Sequence, residues 1–474
     1  MSSTFSGFEI GRRALSASQL ALNVTGQNTA NVGTAGYSRQ VAVLEETDPY
    51  GGVGVDSGRA GQLGTGVSVA SINRVRDEYL DKRIYGANSE HGALDSLRDT
   101  LTRVETAYGE PSATGVGSRI TTFFNAFSDL ASSPESGAVR STVLSKAQSL
   151  VSAFHTVSGA LSTIAPELKS RISAAVSDAN DIAAQIATLN KQIGANVQDG
   201  QHPNDLLDKR TALIGKLSSL VDVRVLDGRN SETNQPNGLV QINVGGYTLV
   251  QGDTASSLPS NFTNINSQPA LQTANGDAIP LKGGAISGLI QANGLVDGYS
   301  ADLDTLASNV ISAVNTRHAA GAGLDGVRGR NFLTGTGAGD IALDPEVAGK
   351  PDNIAAASAP APGATVAAGN GQNARSLAAL VSQPLIGQSS LNQYYNAKVA
   401  AIGADSQRFL AQADTQSKVV AQLQNQQSSV SGVNLDEELT KLLQFQRAYQ
   451  AAARIINIQD DVIDRIINGL GVGK

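Results

Sequence analysis

The chain has 474 residues, a formal net charge of −7 and no cysteine. Hydrophobic residues make up 41% and charged residues 16%, which suffices for real cores and, by length, about two to four domains. The acidic balance argues against a nucleic-acid partner, which calls for a basic surface. The lack of Cys excludes disulfides, thiolate metal sites and a Cys nucleophile. No apolar run approaches the ~18 residues of a membrane span, so no membrane partner is expected. Residues 1–11 lack a basic n-region, carry Glu9 and lead into no h-region, so no cleaved signal peptide is expected. The protein is either cytoplasmic or exported by a route that does not read such a signal.

Phe8, Leu15 and Leu22 fall seven apart, with Phe5, Ala14 and Ala21 beside them, and predict an amphipathic helix over residues 6–29. It is either an ordinary core helix or the partner of the chain's other end. Asn31, Gly33 and Gly36 follow as turn chemistry suited to positive φ at a helix exit. Residues 39–44 alternate like a strand, 47–66 are glycine-rich, and Val67, Val69 and Ile72 alternate again, an irregular β-hairpin. Leu80, Ile84, Leu94, Leu97, Leu101 and Val104 mark a long helix over 77–107, and Ile120, Phe123, Phe124, Phe127 and Leu130 another.

Ser133-Pro134-Glu135 reads as a cap with an N1 proline opening a helix that runs to about 164, with a further helix starting near Pro166. Pro203-Asn204-Asp205 starts one more, to Leu220. At Val221 the period changes to two, and two strands flank Gly245-Gly246 as a hairpin. Residues 222–283 therefore read as β-rich, and 288–317 as helical again. The stretch 321–372 is Ala-, Gly- and Pro-rich, with loop chemistry at 359–363, and Phe332, Leu333, Ile341 and Leu343 are expected to add short strands to the β region. A short helix follows over 373–380, and a long Gln-rich one over 391–430. Asn434 or Ser431 can cap the last helix, whose first turn holds Asp436, Glu437 and Glu438 at the favourable end of the macrodipole.

That last helix carries the clearest pattern. Leu435, Leu442, Tyr449, Ile456, Ile463 and Leu470 recur every seven residues, flanked by Leu439, Phe445, Ala452, Ala453, Ile466 and Ile467. At about 1.5 Å per residue it is roughly 50 Å long. An N-terminal helix of roughly 35 Å is too short to cover it, so the remainder is expected to meet another chain.

The expected fold is α+β and predominantly α: an elongated helical bundle formed by N- and C-terminal segments, with a small inserted β-rich domain and terminal coiled-coil-like helices. The expected division is a terminal assembly domain (1–75 with 431–474), a helical bundle domain (76–221 with 284–320 and 373–430), and an outer β-rich domain (222–283, with or without 321–372).

Chemistry is sparse. His91, His155, His202 and His318 lie outside metal-ligand spacing of one another. Gly335-Thr336-Gly337-Ala338-Gly339 lacks the Lys-Ser or Lys-Thr of a P-loop. Asp297, Asp302 and Asp304 read as the solvated face of a helix, and no nucleophile elbow is present. No catalytic, cofactor-binding or metal-binding residue is expected.

Ala30-Asn31-Val32-Gly33-Thr34-Ala35-Gly36-Tyr37-Ser38-Arg39-Gln40 resembles the N-terminal signature of the bacterial flagellar axial proteins, the rod, hook and hook-associated family. Gln446-Arg447-Ala448-Tyr449-Gln450-Ala451-Ala452 resembles that family's C-terminal helix. The stretches 203–210, 221–225, 284–289 and 431–438 narrow the resemblance to the first of the hook–filament junction proteins. The resemblance implies export by the flagellar type III route and assembly with copies of itself into a ring at the end of the hook. It further implies contact with the hook protein, seating of the second junction protein, and a dedicated export chaperone on the C-terminal helix. It also implies a secreted, extracellular place in the flagellum. Carried over by position, Asn31, Thr34, Gly36, Tyr37 and Ser38 form the assembly turn. Leu435, Leu439, Leu442, Phe445, Tyr449, Ile456, Ile463, Ile466 and Leu470 form the assembly and chaperone helix. Another axial subunit is the nearest alternative, and the long helical stretch 77–220 speaks against a β-richer hook subunit. An exported peptidoglycan-active enzyme would need a carboxylate pair in a cleft, which no stretch offers. A cytoplasmic coiled-coil scaffold differs from all of these in not being exported.

Overall fold

The structure, a computed structural model, describes residues 6–48, 64–230, 234, 236–265, 268–358 and 367–470. Phe5, most of the glycine-rich loop over 47–66, the 359–363 loop and the side chain of Leu470 lie outside the described residues. The chain opens with α1 (Ser6–Ala30), β1 (Gln40–Glu46), β2 (Val67–Arg74), α2 (Glu78–Tyr108), α3 (Val116–Ser132), α4 (Gly137–Gln198) and α5 (Asn204–Leu220). Strands β3 (Arg224–Arg229), β4 (Pro236–Val244), β5 (Tyr247–Gln251), β6 (Thr254–Ala255), β7 (Phe262–Ile265), β8 (Gln268–Gln272) and β9 (Ala278–Pro280) follow. Then come α6 (Gly284–Ala319), the short strands β10 (Gly321–Ala322), β11 (Leu333–Thr334), β12 (Ala342–Leu343) and β13 (Ala357–Ser358), and α7 (Gln372–Ala378). The chain closes with α8 (Leu391–Ser431) and α9 (Leu435–Leu470). The fold is predominantly helical with small antiparallel sheets. Among the described residues no helix is long and apolar enough to cross a membrane.

Two compact units share the chain: Met1–Ser89, Ala179–Leu258 and Ser417–Lys474 form the first, Glu90–Asp178 and Pro259–Gln416 the second. In the first, β1 and β2 pair as an antiparallel ribbon with Gln40 opposite Arg74. Strands β3 to β6 form a four-stranded sheet in sequence order. Its β4–β5 turn uses Gly245 (φ 56°) and Gly246 (φ 87°), the positive pair a two-residue hairpin demands. Ile242, Val244, Leu249 and Val250 are buried in this sheet. Asn190 on α4 is also buried and donates to the carbonyls of Val240 (2.9 Å) and Gly252 (2.7 Å), fixing the helix to the sheet.

The second unit is built around α3. Phe123, Phe124 and Phe127 are buried against one another and against Phe332, with ring centroids 5.1 to 5.8 Å apart. Phe332 and Ile341 are thus core residues, and β11 and β12 pair with each other rather than extending the larger sheets. Strands β7 to β9 form a separate three-stranded sheet. Gly288 lets α6 cross α2 backbone to backbone: a Cβ there would run into the Ala93 carbonyl oxygen. Arg140, 1% exposed, donates to the carbonyls of Pro134 (2.7 Å), Pro351 (3.1 Å) and Ile354 (2.8 Å).

The helix expected from Pro134 begins instead at Gly137, and the helix expected from Pro166 does not begin there. One helix of 62 residues runs through Pro166. A proline costs about 3 kcal/mol in a helix interior. Here it sits on the exposed side, while Leu161, Ile164, Leu168 and Ile172 stay buried on both sides of it. Packing of that continuous apolar stripe outweighs the local preference.

Candidate assembly site

The ends of the chain meet in the first unit. Gly7 lies beside Gln459, Gly11 beside Ile456 and the Ala452 carbonyl, and Asn28 beside Glu438. The helices α1 and α9 are therefore antiparallel. A Cβ on Gly7 would fall 2.8 Å from the Gln459 side chain, and one on Gly11 2.9 Å from Ile456. These two glycines let α9 come close, and Ala17 and Ala21 are also buried. That seam of small side chains, rather than Phe8, Leu15 and Leu22, is the most buried face of α1.

On α9 the face toward α1 reads Glu438, Leu442, Phe445, Tyr449, Ala452, Ile456, Gln459 and Ile463, alternating four and three residues apart. These are half-buried, except that Glu438 is 1% and Ala452 2% exposed. Leu435, Leu439 and Ile466 from the expected stripe are instead exposed. They lie with Leu443 (56%), Ile455, Ile458 (59%), Val462 and Ile467 (65%) on uncovered faces. Since Gly7 sits opposite Gln459, the last turns of α9 run past the described start of α1.

The turn after α1 is held by polar bonds. The Thr34 hydroxyl donates to the Asn31 amide oxygen (3.1 Å), and the Asn31 amide donates to the Gln27 carbonyl (3.0 Å). Gly36 has φ 82°, a backbone state that favours glycine. Asn28 is the hinge pin. Its amide donates to the Gln40 carbonyl (2.8 Å) and the Glu438 carboxylate (2.9 Å), and its oxygen accepts from the Tyr37 hydroxyl (2.9 Å) and the Gln40 N–H (2.9 Å). Lys441 pairs with the same Glu438 (3.1 Å). Burial, with Asp205, Asp208 and Glu438 nearby, pushes the Tyr37 hydroxyl up to about 12 and keeps it a donor. Ser38 is fully buried and gives both its N–H (2.9 Å) and its hydroxyl (2.7 Å) to Asp208 on α5, which also takes Arg74 (2.8 Å). Arg76 donates to Ser38 (2.9 Å) and grips Asp81 (2.6 and 3.0 Å), which also accepts from Gln427 on α8 (2.6 Å). Arg39 reaches Glu437 (2.6 Å), and its N–H donates to the Ser431 carbonyl (2.8 Å). Asn434 is the cap of α9, accepting from the N–H of Asp436 (3.0 Å).

The expected turn residues are thus brought together, but what holds them was not expected: Asn28, Arg74, Arg76, Asp81, Asp208 and Glu438. Two of these had a visible signal. Glu438 is a carboxylate at a seam position of a heptad, and Asn28 an amide on the buried face at the end of α1. The features weighed for other chemistry are internally satisfied. The N–H groups of Thr336 and Gly337 are taken by Asp340. Asp302 is paired with Lys398 (2.8 Å) and Tyr394 (3.0 Å), and Asp304 accepts from the Ala338 N–H (2.8 Å).

Residues 101–333 match the family described as flagellar hook-associated protein FlgK helical domain, and 424–469 match the flagellar basal body rod FlgEFG protein C-terminal family. Flagellar hook-associated protein 1 of Bacillus subtilis is 33% identical, with the whole of both chains aligned. Its counterpart in Salmonella typhimurium is 27% identical over 96% of this chain and 98% of its own. The flagellar hook junction protein FlgK from Burkholderia pseudomallei has the same fold, with a TM-score of 0.61 over 74% of this chain and 100% of that one, at 18% identity. A helical fold closed by paired terminal helices, together with these matches, defines a structural protein of the bacterial flagellar axis. Within that class, the chain belongs to the flagellar hook-associated protein 1 family. Its role is structural, at the hook–filament junction, and it assembles with other flagellar proteins.

Proposed function

We propose that the chain assembles with copies of itself into a ring at the distal end of the hook. There it contacts the hook protein and seats the second junction protein, on which the filament grows. Its subunits arrive outside the cell through the flagellar export channel, with a dedicated chaperone covering α9 until then. The assembly turn is Asn31, Thr34, Gly36, Tyr37 and Ser38, and α9 serves first as the chaperone's site and then as wall of the central channel. The observation that carries this reading is the uncovered apolar surface of α9, from Leu439 and Leu443 to Ile458, Val462 and Ile467. Each such side chain gains about 1.5–3 kcal/mol when fully buried, and α1 covers only the opposite seam.

The test is complementation of a strain lacking this protein. A chain ending at residue 430 is expected to leave the second unit folded by circular dichroism and calorimetry, yet to restore no motility and to be absent from isolated hook–filament junctions. The double substitution Leu439→Glu with Leu443→Glu is expected to do the same while keeping the α1–α9 seam. Full motility with either variant would sink the reading.

A further inference from the structure

A cavity of about 280 Å³ lies within the first unit, bounded by the end of β2, the first turns of α2, α5 and strands β3 and β4. Most of the charges around it are already matched. Arg76 is held by Asp81 (2.6 Å), Arg74 by Asp208 (2.8 Å), and Lys82 faces Asp227 at 3.5 Å, both half-exposed. Arg210 is different. It is 9% exposed, and one of its terminal nitrogens donates to the Asn190 amide oxygen (2.9 Å) and the Gly238 carbonyl. Among the described residues no carboxylate pairs with it. Burial first, and Arg74 second, lower its proton affinity to about 10. Asp227 and Glu78 offset part of this from a distance, without pairing with it.

Tyr85 lines the same cavity. It is 8% exposed, and its hydroxyl makes no hydrogen bond with a described residue. The hydroxyl oxygen is not itself sealed from solvent and opens onto the cavity. The exposed carboxylate of Glu78 also lines the cavity, but it makes no ion pair with Arg210. Two largely buried side chains thus border one space, a hydroxyl that bonds no described residue and a guanidinium that no carboxylate pairs with. A neutral ligand would leave the guanidinium charge unmatched, and a cation would meet Arg210 and Arg74 directly.

We propose that this cavity binds an oxyanion, a carboxylate or phosphate group, held by the Tyr85 hydroxyl and the Arg210 guanidinium with Lys82 at the rim. Planar, forked donors of arginine suit both kinds of group. The group is supplied either by a free anion or by an acidic side chain of a second copy.

The experiment is calorimetric titration of the full chain with inorganic phosphate at constant ionic strength, beside sedimentation of its self-association with and without phosphate. The key variant is Tyr85→Phe, which removes one unpartnered hydroxyl and keeps the ring. Without phosphate its melting temperature is expected to equal that of the parent, because the hydroxyl bonds no described residue. Its phosphate affinity is expected to fall about tenfold, the size of a hydrogen bond to a charged group. Arg210→Gln is expected to abolish binding, and Tyr85→Phe carries the test if that variant unfolds. Saturable binding lost in Tyr85→Phe, with self-association indifferent to phosphate, supports a free anion as the source. Self-association weakened by phosphate or by Tyr85→Phe supports the second copy, whether or not free phosphate gives measurable heat. No saturable binding, or equal affinity in Tyr85→Phe and the parent, together with self-association indifferent to both phosphate and the substitution, overturns the proposal.

Discussion

Asp208 ties the turn after α1 to α5. It takes the Ser38 N–H, the Ser38 hydroxyl and the Arg74 guanidinium at once. Replacing it by Ala strands a buried N–H and a partly buried charge, and breaking such a pair typically costs about 3–5 kcal/mol. Asp208→Ala is therefore expected to lower the unfolding free energy of the first unit by that order, read as a lower urea midpoint. Asp205→Ala, an exposed neighbour whose single bond to Gln40 is long at 3.3 Å, is expected to stay within about 0.5 kcal/mol of the parent. Equal urea midpoints for the two variants would remove Asp208 from its place in the network. Little in the sequence points to this residue. Ser38 and Asp208 are 170 positions apart, and a contact across that separation leaves no period to read. The turn itself is legible because glycine, asparagine and threonine at fixed short spacing answer to local backbone demands.

At the scale of elements, the period of α9 is plain in the sequence, whereas the side that is covered is not. Leu435, Leu439 and Ile466 look as apolar as Leu442 and Ile456, yet only the latter face α1. The deciding residues are on the partner. Gly7 and Gly11 choose the seam by being small, and small residues look like a weak stripe when apolarity alone is weighed. Helix α4 shows the converse failure: a local rule placed a break at Pro166 that long-range packing overrides. The close approach of α1 and α9 has a direct test. Gly11→Leu would drive a side chain into Ile456 and the Ala452 carbonyl. Overpacking of this kind costs about 1–3 kcal/mol. Amide exchange in α1 and in 442–456 is expected to speed up about tenfold or more, with the second unit unchanged. Unaltered protection in both helices would show that the seam is not set by small residues.

For the whole molecule, acid should act on the two units unequally. His318 is fully buried in the second unit, with Nδ1 against the Arg330 carbonyl (2.8 Å) and Nε2 accepting the Ala355 N–H (2.9 Å). A second ring proton would face that N–H. Burial is the main cause that brings its pKa down from 6.5 to about 4. The unfolded chain therefore binds the proton first as pH falls, so stability is complete above 6.5 and drains away toward 4. The loss is about 3 kcal/mol. Urea unfolding followed by segment-resolved exchange at pH 7 and pH 4.5 is expected to show the His318 region weakening, and His318→Gln to remove part of that dependence. A flat response between those values would contradict the assignment. The polar interlock at Asn28 bears on the other end of the chain in a different way. A heptad seam against small residues could slide by one repeat at little apolar cost, and copies of the protein could then differ in height. Only one setting joins the Asn28 amide to Glu438, so a slipped pair would break the one bond of Asn28 that reaches α9 and leave the buried carboxylate with Lys441 alone. Each subunit consequently presents its bare apolar face at the same level, which is what makes the copies interchangeable in a repeating structure.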